Sequence, residues 1–443
     1  MQPAIENCAN VADENCDSFD CGIWTKALGG TGSTAAFDTD GNVYVAGTFS
    51  GTLQFGNDAL ISAGGIDIFL AKFDAAGKYL WSHRYGDSAD QAPHAIVTDS
   101  SGNVVLVGDS SGTLNFGGQN LPKGYFVAKL DKSGAHVWSM SAGGAYPDAF
   151  NEQRANVAVD AQGNVIVAGT FLGTMNFGNG PLAVASAGVT DIFVAKLTAA
   201  SGSAAPANGG WAKRFGDAKA DAATGMVVDG SGNVLLAGNF DGVLNLGNKS
   251  VTAVVPTELF VAKLDADGNQ AWINSYGGSV YNARVGVDGL GNLRVSGTFS
   301  GKLNLNNGMT LDSASGSLFM ASIRTDSVVL WQANHAASSQ FWYSAATNSS
   351  GDTIIMTLGI GTQDLGGGPL QGDGLSIFLG KFDPKGNHIW SKGLSNGIPE
   401  DARQIVLAPD GQAVLVGASP TGFSVGTLPV VPSGEGYMVK LGR

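Results

Sequence analysis

One unit is repeated seven times along the chain, and this period restricts the possible folds more than any feature of composition. In its first copy the unit reads Asn42-Val43-Tyr44-Val45-Ala46-Gly47, then Asp67-Ile68-Phe69-Leu70-Ala71-Lys72-Phe73-Asp74, then Trp81. The first segment returns at 103–108, 164–169, 233–238, 292–297, 352–358 and 412–417, and the second at 125–131, 191–197, 259–265, 318–323, 377–383 and 437–441. Tryptophans stand at 24, 81, 138, 211, 272, 331 and 390, so successive steps are 57, 57, 73, 61, 59 and 59 residues. Repeats of this kind share one continuous core, which argues against dividing the 443 residues into two or three domains.

Four strands, a to d, are expected in each unit. Strand a is a segment such as 156–160, running into Asp160-Ala161-Gln162-Gly163-Asn164, where the aspartate can cap a turn and Gly-Asn can take positive φ. Strands b and c, such as Val165-Ile166-Val167-Ala168-Gly169 and Ile192-Phe193-Val194-Ala195-Lys196, are nearly unbroken apolar runs, the pattern of a sheet covered on both faces. Strand d carries the tryptophan. Gly22-Ile23-Trp24-Thr25-Lys26-Ala27-Leu28 is a d strand with nothing of its unit before it, and Tyr437-Met438-Val439-Lys440-Leu441 is a c strand with no d after it. The two are expected to complete one sheet. This predicts an all-β, seven-bladed β-propeller with four antiparallel strands per blade, the last blade closed by the Trp24 strand so that no edge is left bare. The domain boundaries expected are 1–20 for a head segment and 21–443 for the propeller.

Glycine, at 66 residues, suits many short strands joined by tight turns, while net charge −13 sets the bulk field against phosphate backbones, so nucleic acid is not an expected partner. No apolar run approaches the roughly 20 residues that span a bilayer, so no transmembrane segment is expected. All three cysteines, Cys8, Cys16 and Cys21, precede the first tryptophan. That segregation points to an oxidising compartment, extracellular, cell-surface or periplasmic, with one thiol left over from any single disulfide. Met1-Gln2-Pro3 shows no basic n-region and no h-region, so any secretion signal is expected to have been removed or replaced by an initiator Met, and secretion is inferred from the cysteines. A monomer is expected.

The head reads Glu6-Asn7-Cys8-Ala9-Asn10-Val11-Ala12-Asp13-Glu14-Asn15-Cys16-Asp17-Ser18-Phe19-Asp20-Cys21. It resembles the Asp- and Cys-rich segments of secreted proteins of myxobacteria and related bacteria, some of which are labelled metal-binding. Asp13, Asp17 and Asp20, with Glu14, are candidate oxygen ligands for Ca²⁺; a solvated, disulfide-pinned linker is the alternative, because the glycine-containing 12-residue calcium loop is absent. From residue 22 onward the chain resembles the bacterial seven-bladed β-propeller repeat family of secreted and surface proteins, through GN-V-y-V-A-G-t-f-x-G-x-L-x-F-G and D-I-F-V-A-K-L-D-x-x-G-x-x-x-W in each unit. The resemblance implies the fold and no particular reaction.

If the a-to-b and c-to-d turns are regular, the d-to-a and b-to-c connections share the other face, and there the copies diverge, as a binding surface built from repeats would. Tyr146, Phe150, Glu152 and Arg154 of one connection, with Tyr281, Arg284, Phe341, Trp342, Asp401 and Arg403, are the candidate ligand-binding residues, suited to a glycan, peptide or protein. The alternative is that the aromatics plug the channel and the ions solvate its rim. The tryptophans are expected to anchor blade to blade, and the strand-c lysines, two positions before an aspartate in four copies, to pair with it. Ser322 stands where the other copies carry lysine, and Asn348 where most carry the turn aspartate. For catalysis, His94 with Asp87, Asp90 and Glu400 is the one conceivable set; no triad, metal-ligand spacing or phosphate loop accompanies it. The reading is a non-catalytic binding or scaffold module, against a metal-assisted lyase or hydrolase at the central channel, or a structural spacer.

Overall fold

The structure is a computed structural model and describes residues 22–145, 155–183, 189–305, 308–336, 340–394, 401–419 and 435–442. Among them there is no α-helix; the one helical turn is the 3-10 segment Pro206–Asn208, inside the long third c-to-d connection. The chain is all-β and its sheets are antiparallel. In the first unit strand a (Thr31–Phe37), b (Val43–Phe49), c (Asp67–Phe73) and d (Tyr79–Tyr85) pair in that order. The pattern recurs down the chain, and Gln270–Val287 is long enough to serve as strand d of one unit and strand a of the next. At the end of the chain Asp401–Leu407, Ala413–Ser419 and Glu435–Leu441 form strands a to c, and Gly22–Ala27 pairs on the outside, Trp24 opposite Lys440 and Thr25 opposite Val439.

The a-to-b turn is built as its chemistry dictates. Asp38 Oδ1 accepts the backbone N–H groups of Asp40 (3.0 Å) and Asn42 (2.9 Å), Oδ2 accepts the Asn42 amide (2.8 Å), and Gly41 sits at φ 77° where a side chain would be strained. Asp99, Asp160, Asp229 and Asp288 make the same set. With the turns satisfied, strands b and c are buried on both faces, and apolar clusters lie between neighbouring sheets. Val43, Val45 and Phe69 of the first sheet pack with Trp24, Val414, Val416 and Met438 of the last.

The tryptophans act across these interfaces. Trp24, Trp81, Trp138, Trp211, Trp272 and Trp331 each donate Nε1–H to a carbonyl in the c-to-d turn of the next unit, at Ala75, Lys132, Ala199, Ala266, Thr325 and Pro384, over 2.9–3.3 Å. Gly268, at φ 76°, lies under the Trp211 ring so closely that a Cβ there would stand 2.8 Å from it.

The lysine expectation needs correction. Lys72 does not pair with Asp74; its Nζ lies 3.1 Å from Asp38, the a-to-b turn aspartate, and 2.7 Å from the Tyr44 hydroxyl. Lys129, Lys196 and Lys263 likewise reach Asp99, Asp160 and Asp229. Asp74 instead caps its own turn through the N–H groups of Ala76 and Lys78. The two acids lie at one end of the sheet, and an aspartate whose oxygens are committed to a tight turn is poorly placed to turn back on a lysine two residues earlier. Where Ser322 replaces lysine, the cation has moved to the neighbouring strand: Arg294, paired opposite Ser322, reaches Asp288 at 3.2 Å.

Candidate functional site

The innermost strands touch in cyclic order: Thr31–Phe37 against Gln91–Thr98, then Ala155–Val159, Asp221–Val228, Gln270–Val287, Gln340–Thr347 and Asp401–Leu407, which returns to Thr31–Phe37. Each exposes one edge toward the axis, and side chains cover those edges. Gln404 Oε1 accepts the Ala35 N–H (2.8 Å), Ser344 Oγ accepts that of Ile405 (3.2 Å), and the Thr224 hydroxyl donates to the Ala283 carbonyl (2.9 Å).

Between these strands lies a well of about 140 Å³, lined by Ser33, His94, Ala95, Ala155, Asn156, Thr224, Gly225, Met226, Arg284, Val285, Ser344, Ala345, Arg403 and Gln404. Every lining residue falls three to five positions before the residue that opens the a-to-b turn of its unit (38, 99, 160, 229, 288, 348 and 408), early in strand a, at the end the d-to-a connections enter. The cause is a recurrent bulge. Register slips by one residue between Gly32 and Thr34, Pro93 and Ala95, Ala223 and Gly225, Tyr281 and Arg284, and Ala402 and Gln404. A bulge re-aims side chains, and here it turns Ser33, His94, Thr224 and Arg403, with the residues after them, onto the axis.

Among the described residues the lining holds two guanidiniums and no carboxylate. Arg284 is half-buried; burial pushes it down to about 10, against the opposing influence of Tyr343, so it stays charged at neutral pH. Its Nη1 donates to the Thr224 (2.9 Å) and Ala283 (3.1 Å) carbonyls, and Nε and Nη2 make no hydrogen bond among the described residues. Burial likewise pushes Arg403 down to about 10. His94 is 7% exposed and its Nε2 lies 2.8 Å from Asp109 Oδ2. Ser33 Oγ and Asn156 Nδ2 are buried without a hydrogen-bond partner. Ser33 makes no hydrogen bond to His94, so these two are not paired as nucleophile and base.

Of the residues read from sequence as ligand-binding, Arg284 and Arg403 line the well together. Tyr281 is 49% exposed and is not among the lining residues. The backbone of Phe341 and Trp342 runs in Gln340–Thr347 and that of Asp401 in Asp401–Leu407, their side chains lying outside what is described. Tyr146, Phe150, Glu152 and Arg154, the candidate calcium ligands Asp13, Asp17 and Asp20, and the cysteines also lie outside the described residues. His94 reaches Asp109 and not Asp87 or Asp90, since Asp87 caps Ala89 and Thr113 and Asp90 accepts the Ile66 N–H; Glu400 lies outside the described residues. Among the described residues no group of three or more His, Cys, Asp or Glu is arranged to hold a metal ion. Ser33, Asn156, Thr224, Ser344 and Gln404 went unread because each sits inside a strand; aligning the copies on the turn residue exposes a column, five positions before it, that varies among Ser, His, Ala, Thr, Tyr and Arg.

A second polar cluster lies between the third and fourth units. Asp221 is fully buried and is pushed up to about 8, by burial first and then by the charges of Asp217, Asp191 and Asp241, although the Asp217 N–H bonded to it acts the other way. At the corresponding place between the first two units stands Gln91, whose amide donates to Asp87 at 2.9 Å.

The architecture is propeller-like. No protein-family model matches the chain. An alignment of 159 residues, covering 31% of this chain and 11% of the other protein, is 28% identical to an uncharacterized WD repeat-containing protein, L264, of Acanthamoeba polyphaga mimivirus. Among solved structures, a PL25 ulvan lyase is similar with TM-score 0.48 at 10% identity, covering 89% of this chain and 93% of that one. Hydrazine synthase of Kuenenia stuttgartiensis gives 0.46 at 10% identity over 88% and 93%, and a puromycin hydrolase 0.44 at 14% over 89% and 51%. Likeness at this level carries nothing about chemistry. No helix among the described residues is long and apolar enough to cross a membrane.

Proposed function

We propose that the chain is a non-catalytic binding module: one closed seven-bladed ring, completed by the Trp24 strand, that takes part of a glycan, peptide or protein into its axial well. The observation that carries this is the convergence of polar side chains from strands about sixty residues apart at one register, in a well where Ser33 and His94 are not paired as nucleophile and base. Binding surfaces place a few polar groups in a concave, largely pre-formed site, and the well has that character. The cyclic contacts of the innermost strands and the pairing of Gly22–Ala27 with Glu435–Leu441 support the ring. Function outside the cytoplasm, suggested by the cysteine distribution, belongs to the same proposal.

The test is a glycan and peptide array probed with the wild-type chain and with Ala95→Phe, which fills the well without changing charge. Selective binding by the wild type, lost in a variant of unchanged melting temperature, is expected. Silence of the wild type across the array, or equal binding by both proteins, refutes the proposal.

A further inference from the structure

Resting on that reading, we propose that the axial well is a site for one carboxylate of a small hydroxyl-bearing acid, a sugar acid or hydroxy acid, held by Arg284. In a chain of net charge −13 the described residues that line the well include two guanidiniums and no acidic side chain, so this lining carries charge opposite in sign to that of the chain. Arg284 supplies the geometry. Its Nη1 is committed to the Thr224 and Ala283 carbonyls, which fixes the guanidinium plane and leaves the Nε–Nη2 edge as a two-pronged donor. That edge matches the two oxygens of a carboxylate, and a planar fork held in place loses little freedom when it binds.

The neutral groups explain the hydroxyls. Ser33 Oγ and Asn156 Nδ2 are buried polar atoms without protein partners, and such atoms are costly unless a ligand or water satisfies them. An acid bearing hydroxyls offers them acceptors beyond the carboxylate and a donor for Ser33 Oγ; a bare carboxylate brings only two acceptor oxygens, which face the Arg284 fork. The volume, about 140 Å³, admits a small molecule or the end of a larger one rather than a single water.

Isothermal titration calorimetry of the whole chain with glucuronate, glucose, acetate, N-acetylaspartate and sulfate tests this. Glucuronate is expected to bind saturably, with acetate and glucose each at least about ten-fold weaker, because each lacks one half of the recognition. Arg284→Gln is expected to lower glucuronate affinity at least ten-fold and leave glucose unchanged. Arg284→Lys keeps the charge and loses the fork, and is expected to recover only part; it also serves as the reading variant if Arg284→Gln does not fold. Sulfate binding tighter than glucuronate overturns the choice of anion, and N-acetylaspartate equal to glucuronate overturns the role of the hydroxyls. Glucuronate binding that is absent, or indifferent to both Arg284 variants, overturns the site. If that occurs while an array ligand still binds and is lost in Ala95→Phe, the binding-module reading stands and the carboxylate alone falls.

Discussion

Arg294→Ile offers the most informative test of how the units are held, because the fifth unit places its buried cation on a different strand from the others. Arg294 is 5% exposed; its Nη2 lies 3.2 Å from Asp288 and donates to the Pro384 carbonyl at 2.9 Å, Nη1 donates to Ser322 Oγ, and the guanidinium lies 5.6 Å from the Trp331 ring centre. Removing one partner of a buried ion pair costs about 3–5 kcal/mol, since the remaining charge stays desolvated. Asp288 would keep three hydrogen bonds, from the N–H groups of Leu290 and Asn292 and from the Asn292 amide, which places the cost near the lower end, about 3 kcal/mol. Adding Ser322→Lys then rebuilds the third unit's arrangement, in which Ile166 stands opposite Lys196 and Lys196 reaches Asp160 at 3.1 Å. The double variant is expected within about 1 kcal/mol of wild type, while Ser322→Lys alone, putting two cations beside one carboxylate, is destabilised. Urea unfolding followed by tryptophan fluorescence reads all four proteins. A double variant no more stable than Arg294→Ile would refute the claim that the two strands exchange one interaction.

Other outcomes follow from the same geometry. Trp211→Ala should destabilise by about 3–5 kcal/mol, and Gly268→Val at the facing turn should also destabilise, through its positive φ and the Trp211 ring; a melting temperature unchanged in either would refute the anchoring role. Deleting residues 1–28 removes the strand paired with Glu435–Leu441 and should lower the melting temperature well beyond the loss of a tail; no change would sink the closure. Asp221, raised from 3.8 to about 8, is protonated in the fold and ionised in the unfolded chain between those values, so it takes stability away progressively as pH rises from about 4 to 8. Asp221→Asn should therefore be more stable than wild type at pH 8 and lose this advantage near pH 4; a pH-independent difference would refute the assignment. Asp38, Asp99 and Asp229 have the opposite sign: burial alone would raise them, but their asparagine and lysine partners hold them below the ordinary value, so their contribution is present above about pH 4 and lost as acid protonates them, as an unfolding titration in acid would show.

The sequence by itself determined the period, the four-strand unit, the aspartate-glycine turns and the packing role of the tryptophans. These rest on contiguous residues: a turn aspartate such as Asp160 bonds to Gln162 and Asn164 within its own hairpin, so its chemistry is written within five positions. Two things needed the tertiary structure. The lysine partners were misread because the relevant aspartate lies in another turn, 34 residues away for Lys263, and distance along the chain conceals which end of the sheet each shares. The well was half read. Arg284 and Arg403 announce themselves as charges beside a variable loop, but Ser33, His94, Asn156 and Thr224 lie in strands, where alternation alone does not reveal a bulge. Which side chains meet at the axis is decided by the cyclic order of strands far apart in sequence and by a one-residue slip in their pairing, and neither is a local property of the chain.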